Sequence, residues 1–326
     1  MKPIVSEAVI WGNCDNRSEH LLTQHKMKSA GQNLTIFSLG DTNLGELLMR
    51  CPDLFNQPEC KIIKHEKKIR VGYVPLPIRG TIQTVYIKQH NCLSLAHRVG
   101  SLFFASAATR SLCGAAILLQ EGHATARPVA AMEYRLWGIL TKSLYISEEI
   151  SGTKTVETYW RENLIPLKGM RGYLERRAFL KSLGHKFNSL HRKKIYHNDL
   201  KASNILVRNT DGSTADPFTL IDPQGLRKCF YLSKRRKIKN LAQLNRTLGL
   251  FLTKTEKLFL LKAYGDLYVS NPTKKRKLIK TILNETIRQA VREKSGLTGK
   301  HLFHYRHLRN KISLRADHRL HATDEL

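Results

Sequence analysis

Tyr196-His197-Asn198-Asp199-Leu200-Lys201-Ala202-Ser203-Asn204-Ile205-Leu206-Val207, followed by Phe218-Thr219-Leu220-Ile221-Asp222-Pro223-Gln224-Gly225, decides the reading of this chain. It has the form H-x-D-L-K-x-x-N, then a short apolar run that ends in Asp, with a Gly three residues on. The residue types fit a division of labour. Asp199 can accept a proton from a hydroxyl, and Lys201, two residues later, can reach back to neutralise an anionic group. Asn204 and Asp222 offer oxygen atoms, the hard donors that Mg²⁺ prefers. The flanks predict a loop entering a strand at Ile205–Val207. A turn around Asp211-Gly212 would pair it with 218–221 as a hairpin, bringing Asp222 close to Asn204.

Upstream of this loop, the segment Arg171 to Lys194 places Phe179, Leu183, Phe187 and Leu190 at spacings of four, four and three. That is one apolar face of a helix with basic residues around the rest, ending just before His197. Earlier still, Cys60–Ile63, Ile69–Val74 and Ile82–Lys88 are short β-branched and aromatic runs, which predict an antiparallel sheet. A helix is predicted from Leu102 to Gln120, with Gly122 after it and Pro128 beyond. Two further strands follow over Glu133–Leu140 and Ser143–Ile150. Downstream, Leu241, Leu244 and Leu248 lie on one helical face, and another apolar series spans Leu258 to Tyr268. The fold class is therefore α+β and bilobed. A small antiparallel-sheet lobe with one helix (57–152) precedes a larger, mainly helical lobe (153–270). Residues 1–56 form an extension of unclear role, and 271–326 a basic, His-rich C-terminal segment.

Composition bounds the partners. The 326 residues, 41% hydrophobic and 25% charged, describe a globular chain able to bury one large core or two modest ones. The longest apolar stretch, Leu102 to Leu119, is cut by Arg110 and reads as a helix of the fold, since a span needs about 20 uninterrupted apolar residues. The N-terminus meets polar and acidic residues too early for a signal peptide. Six cysteines without a C-x-x-C pair read as reduced thiols of a cytoplasmic protein. Fifty-five Lys and Arg against 26 Asp and Glu leave a formal charge of +29, which points to an anionic partner: nucleic acid, lipid headgroups or a phosphorylated substrate. The basic run Lys234–Lys239 lies just after Asp222. It reads either as the solvated start of a helix or as a cationic mouth for an anionic substrate. His301, His304 and His307 drift around a helix rather than converge as metal ligands. Their segment suits contact with an anionic membrane surface better.

The quoted motifs have the catalytic layout of the protein-kinase-like superfamily. Within it the sequence resembles the lipopolysaccharide core kinases, which phosphorylate Kdo or heptose sugars of the inner core. The likeness rests on His197-Asn198-Asp199-Leu200 with Asn204, on Leu220-Ile221-Asp222 and on the run Arg235–Leu244. The segment Ala124–Ala130 also looks like that family's linker into the hinge strands. This resemblance implies an ATP- and Mg²⁺-dependent kinase in which Asp199 is the catalytic base and Lys201 assists. Asn204 and Asp222 would be metal ligands, and Lys88 the small-lobe lysine that holds the ATP phosphates. By fold analogy the strand Tyr145–Glu149, with Glu148 and Glu149, would offer backbone groups to the adenine edge. The implied acceptor is an anionic glycolipid, reached from the cytoplasmic face of the inner membrane by peripheral contact. Nucleic acid is a less favoured partner.

The chain departs from the pattern in four places. No Asp or Glu lies between Leu102 and Gln120 to pair with Lys88, no glycine-rich loop precedes that lysine, Asn240 stands where the family often has Asp, and Pro223 follows Asp222. The alternatives are a small-molecule or RIO-like protein kinase of the same fold, and a pseudokinase that binds lipid or RNA.

Overall fold

The computed structural model describes residues 4–6, 22–29, 32–39, 47–48, 53–78, 80–208, 216–265, 267 and 271–293. One eight-stranded sheet builds the small lobe. Its strands are β1 (Ile4–Ser6), β2 (Leu22–Ser29), β3 (Gln32–Leu39), β4 (Lys61–His65), β5 (Ile69–Ile78), β6 (Thr81–Asn91), β7 (Pro128–Leu136) and β8 (Ile139–Glu148). The spatial order is β1-β2-β3-β7-β8-β6-β5-β4, and every pairing is antiparallel. The segment 1–56, read from sequence as an extension of unclear role, thus supplies three strands of this sheet. It carried little signal because Leu22–Ser29 mixes basic and polar residues with few β-branched ones.

The two faces of the sheet have different covers. Val74, Val85, Ile87, Met132, Leu144 and Ile146 pack on one side with Leu48, Leu54 and Phe55. On the other side lies a helix between β6 and β7. A short helix, α1 (Leu95–Gly100), precedes it, and the main one is α2 (Ala107–Gln120). Ala108, Leu112, Ala115 and Leu118, spaced four, three and three, form its buried stripe, and the first two meet Phe37, Ala131 and Tyr145 of the sheet. The helix starts five residues later than the apolar run suggests, because Ser106 is the N-cap: its hydroxyl accepts the Thr109 N–H at 3.1 Å. Gly122 follows at φ 69°, a conformation that costs glycine nothing.

The large lobe runs through β9 (Thr153–Thr155), α3 (Val156–Tyr159), α4 (Gly169–Arg192), β10 (Ile195–His197), β11 (Ile205–Arg208), β12 (Phe218–Leu220), β13 (Leu226–Lys228), α5 (Lys234–Thr247), α6 (Lys254–Tyr264) and α7 (Pro272–Arg292). Helix α4 buries Leu180, Leu183, Phe187 and Leu190 in a core with Trp160, Ile195, Phe218 and Tyr264. Phe179, also on the expected face, is only partly buried and stacks on Tyr159 at 5.4 Å. Helix α6 stops at Tyr264, four residues short of the apolar series, where Gly265 turns at φ 75°. Helix α7, read as the start of a separate basic segment, packs on α5. Asn245 Nδ2 donates to Thr286 Oγ1 at 3.1 Å and Gln289 Nε2 to the Lys239 carbonyl at 3.2 Å. The Asp211-Gly212 turn and the His301–His307 segment lie outside the described residues. Among the described residues no helix is long and apolar enough to cross a membrane.

Candidate active site

Two short ladders fix the loop that carries Asp199, Lys201 and Asn204. β10 pairs antiparallel with β13, and β11 with β12. Between them, Asn198 N donates to the Gly225 carbonyl at 3.1 Å and Ile221 N to the Asn204 carbonyl at 3.0 Å. A Cβ at Gly225 would come within 2.6 Å of Asn198 Cβ, so only glycine lets the two segments approach this closely. Asp222 sits at φ 57°, ψ 57°, the left-handed region that Asp tolerates better than most residues. That turn sends its carboxylate toward the small lobe.

The carboxylate meets Lys88. The Lys88 ammonium lies 2.8 Å from Asp222 Oδ2, a contact between residues 134 apart in sequence. Burial pushes the Asp222 carboxyl up, but the Lys88 charge and hydrogen bond, together with His197 and His90, outweigh it and hold the pKa below its ordinary value. Lys88 lies on the α2 side of β6, where His90 follows two residues later. Burial, then repulsion from Lys88, lowers the His90 imidazole to about 4.

The second cluster centres on Asp199. Lys201 Nζ lies 2.8 Å from Asp199 Oδ2, and Asn204 Nδ2 donates to the same oxygen at 3.0 Å and to the Asp199 carbonyl at 2.9 Å. His197, buried beneath the loop, accepts the Asp199 N–H at 3.1 Å through Nδ1. Burial lowers the pKa of this histidine, against the pull of the Asp222 and Asp199 charges. Asn204 commits its amide nitrogen to Asp199, so Oδ1 is the atom it would offer a cation. With the carboxylate of Asp222, that makes a pair of hard oxygen donors suited to Mg²⁺.

A buried polar chain holds the loop from below. Asn240 on α5, fully buried, donates to the His197 carbonyl at 2.6 Å and to Gln243 Oε1 at 2.8 Å, while its own Oδ1 pairs with His191 Nε2 at 3.1 Å. Gln243 accepts the Leu200 N–H at 3.1 Å and donates to the Asn198 carbonyl. Thr247 accepts the Ala202 N–H at 3.0 Å. Asn240 thus grips the loop as a neutral donor where the resembled family often has Asp. Gln243 stands in the basic run quoted above, yet nothing in the sequence marks it as a support of the loop.

The missing helix acid has a steric counterpart. Gly114 of α2 faces the Pro223–Gly225 turn, and a Cβ there would overlap the Pro223 carbonyl oxygen and reach 3.1 Å from its carbonyl carbon. The helix lies too close to the Asp222 turn for a side chain at that position. Glu121, at the far end of α2, pairs with Lys228 at 2.7 Å. Where a glycine-rich loop would lie, β5 and β6 close in a tight hairpin, with Ile78 opposite Thr81 and Gly80 at φ 77°.

Glu148 and Glu149 lie where the strand leaves the sheet, but their backbone N–H groups are taken. Glu148 N donates to the Arg127 carbonyl at 2.9 Å and Glu149 N to the Thr84 carbonyl at 3.0 Å. The basic run forms the first turns of α5, capped by Ser233 and largely exposed, with no acidic residue in its first turn. Cations at a helix N-terminus oppose the macrodipole, so this end of α5 is a concentrated positive field. It adjoins the catalytic loop: Lys239 Nζ donates to Asn198 Oδ1 at 3.2 Å.

A small sheet lobe whose lysine meets an Asp of the large lobe, above a rigid H-x-D loop with a downstream Asn, defines a bilobed phosphotransferase of the protein-kinase-like fold. Part of the chain is similar to a narrower family. Residues 115–264 match the model of the lipopolysaccharide kinase (Kdo/WaaP) family, a segment that holds Asp199, Lys201, Asn204 and Asp222 but not Lys88. The family match supports sugar-kinase activity on the lipopolysaccharide inner core, and such a kinase uses ATP. Among solved structures, one titled "WaaP in complex with acyl carrier protein" shares the fold at a TM-score of 0.50 and 19% identity. The alignment covers 69% of this chain and 88% of that one. No curated protein sequence matches the chain.

Proposed function

We propose that this protein transfers the γ-phosphoryl group of ATP to a hydroxyl of an inner-core lipopolysaccharide sugar, with Asp199, Lys201, Asn204, Asp222 and Lys88 as its working residues. Asp199 orients the acceptor hydroxyl and takes its proton as the new O–P bond forms and the bond from the γ-phosphorus to the bridging oxygen breaks, releasing ADP. Lys201, paired with Asp199 before the acceptor arrives, neutralises charge on the moving group. Asn204 and Asp222 are the residues that would hold Mg²⁺, which supplies charge neutralisation on the nucleotide phosphates. Lys88 holds Asp222 in place and lies within reach of those phosphates. The reading rests chiefly on one observation, the 2.8 Å contact that brings the small-lobe Lys88 onto Asp222 directly above the Asp199 loop.

The basic start of α5 supports an anionic acceptor. Exposed lysines and arginines beside the catalytic loop would attract a glycolipid already bearing carboxylates or phosphates, and would do so less at high salt. The protein would meet that acceptor at the membrane surface by peripheral contact. Acceptor class is tested by supplying labelled ATP and Mg²⁺ with deacylated lipopolysaccharide core, an aminoglycoside, a generic protein substrate and RNA in parallel. Label on the core alone is the expected result. Label on the protein or aminoglycoside instead would assign the acceptor elsewhere.

A further inference from the structure

One end of the small-lobe sheet exposes side chains that a fold ordinarily hides. Helix α1 has no buried residue, although it carries Leu95 and Val99. Directly after it, Leu102, Phe103 and Phe104 are 55%, 79% and 72% exposed. Six residues of helix are too few to persist on propensity alone, so a helix exposed all round calls for a partner surface. The turn between β7 and β8 adds a second group. Leu136 pairs with Ile139, which leaves Trp137 and Gly138 as a two-residue hairpin loop. Trp137 sits at φ 52° and is 78% exposed. Both central residues of this tight turn have positive φ, the setting for Asn-Gly; a bulky aromatic there is strained.

The two groups are tied together. Arg135 Nη1 donates to the Ser101 carbonyl at 3.1 Å, and Leu140 N to Ser101 Oγ at 3.1 Å. Cations border the same end: Asn91, the last residue of β6, donates to the Lys67 and Lys68 carbonyls at 3.0 and 2.9 Å, and Arg98 of α1 donates through Nε to the Cys92 carbonyl at 3.0 Å. Lys67, Lys68 and Arg98 are exposed.

We propose that this end of the small lobe, formed by Leu95, Leu102, Phe103, Phe104, Trp137 and Ile139, docks on an anionic phospholipid bilayer. Aromatic and aliphatic tips ringed by lysine and arginine are the composition that lies in a headgroup layer. A bilayer is preferred over a second copy of the chain because the rim is cationic, as is the chain at +29, so two copies would repel where lipid phosphates attract. The choice of a lipid surface also rests on the glycolipid reading above, but its test needs no acceptor.

The experiment is sedimentation of the purified full chain with phosphatidylcholine vesicles, with and without phosphatidylglycerol. Three variants are compared: F103S/F104S, W137N, and M170S as a control at an exposed apolar residue of the large lobe. Asn suits the positive-φ position, so W137N removes the ring without harming the turn. The expected result is binding to anionic vesicles only, weakened about tenfold or more by F103S/F104S and clearly by W137N, with M170S unchanged. Transfer to deacylated core should be equal in all four proteins, so a failed docking proposal and a failed acceptor assignment give different results. Equal vesicle binding by wild type and both patch variants overturns the proposal. So does a wild type that ignores vesicles but forms a dimer that F103S/F104S dissolves.

Discussion

Replacing Gly114 by Ala tests the reason α2 carries no acid opposite Lys88. The added Cβ would overlap the Pro223 carbonyl oxygen and lie 3.1 Å from two other Pro223 atoms, where ordinary carbon contacts begin at roughly 3.5 Å. The obstacle is backbone, so relief requires α2 and the 223–225 turn to part by on the order of 1 Å. Gly→Ala in a helix interior otherwise gains about 1 kcal/mol, whereas overpacking a tight contact costs ~1–3 kcal/mol. A small net loss of stability is therefore expected, with a larger effect on chemistry. Asp222 adjoins Pro223, and its carboxylate would leave the position in which Lys88 holds it. Misplacement of that size costs about 10²-fold in rate. Thermal unfolding and steady-state phosphate transfer on the same preparation measure both. A G114A protein that gains stability and keeps its full rate would refute the steric account.

Further outcomes follow from other contacts. Gln243→Leu leaves the Leu200 N–H and the Asn198 carbonyl without their partner, so denaturant unfolding should show a loss of about 1–3 kcal/mol, with transfer reduced as the loop loosens. Trp137→Asn should raise the unfolding midpoint slightly, by a fraction of the ~1–2 kcal/mol left-handed penalty, since Asn tolerates that region better than Trp. His90 titrates at about 4 in the fold against 6.5 when exposed, so the unfolded chain binds more protons between those values. Stability should therefore fall as pH drops from 6.5 toward 4, by at most about 3 kcal/mol from this group. His123 acts in the same direction for the same leading cause, burial. A His90→Gln variant should flatten the slope in urea titrations across that window. Asp222 has the opposite sense of charge: its lowered pKa keeps its contribution until the pH falls below the ordinary carboxylate range.

The His197–Asn204 loop was legible as a candidate site because its functional groups lie in nearly consecutive residues. Asp199, Lys201 and Asn204 lie within six positions, and the structure gathers them around one carboxylate oxygen. Helix α4 was equally plain from its apolar spacing. The sequence did not show what answers the missing acid on α2, because the partner of Lys88 lies 134 residues away and its reason is an absence of volume at Gly114. Gln243 was hidden for a related reason. A buried amide that binds backbone groups has no periodic signature, and it sits in a run whose charges dominate the reading. The first three strands escaped notice because they are pinned by neighbours in the sheet more than by local β-propensity. The sequence predicts a strand over Ser143–Ile150 and β8 ends at Glu148, but that the amides of Glu148 and Glu149 are taken depends on Arg127 and Thr84, and only the fold brings those together.

The most direct test of the central claim is mass analysis of deacylated inner-core oligosaccharide after incubation with ATP, Mg²⁺ and either wild type or Asp199→Asn, with ATP binding measured on both proteins. The account expects a phosphate monoester on the core sugar from wild type, none from D199N, and equal ATP binding by the two. Core phosphorylated equally by D199N, or left unmodified by a wild type that binds ATP, would contradict it.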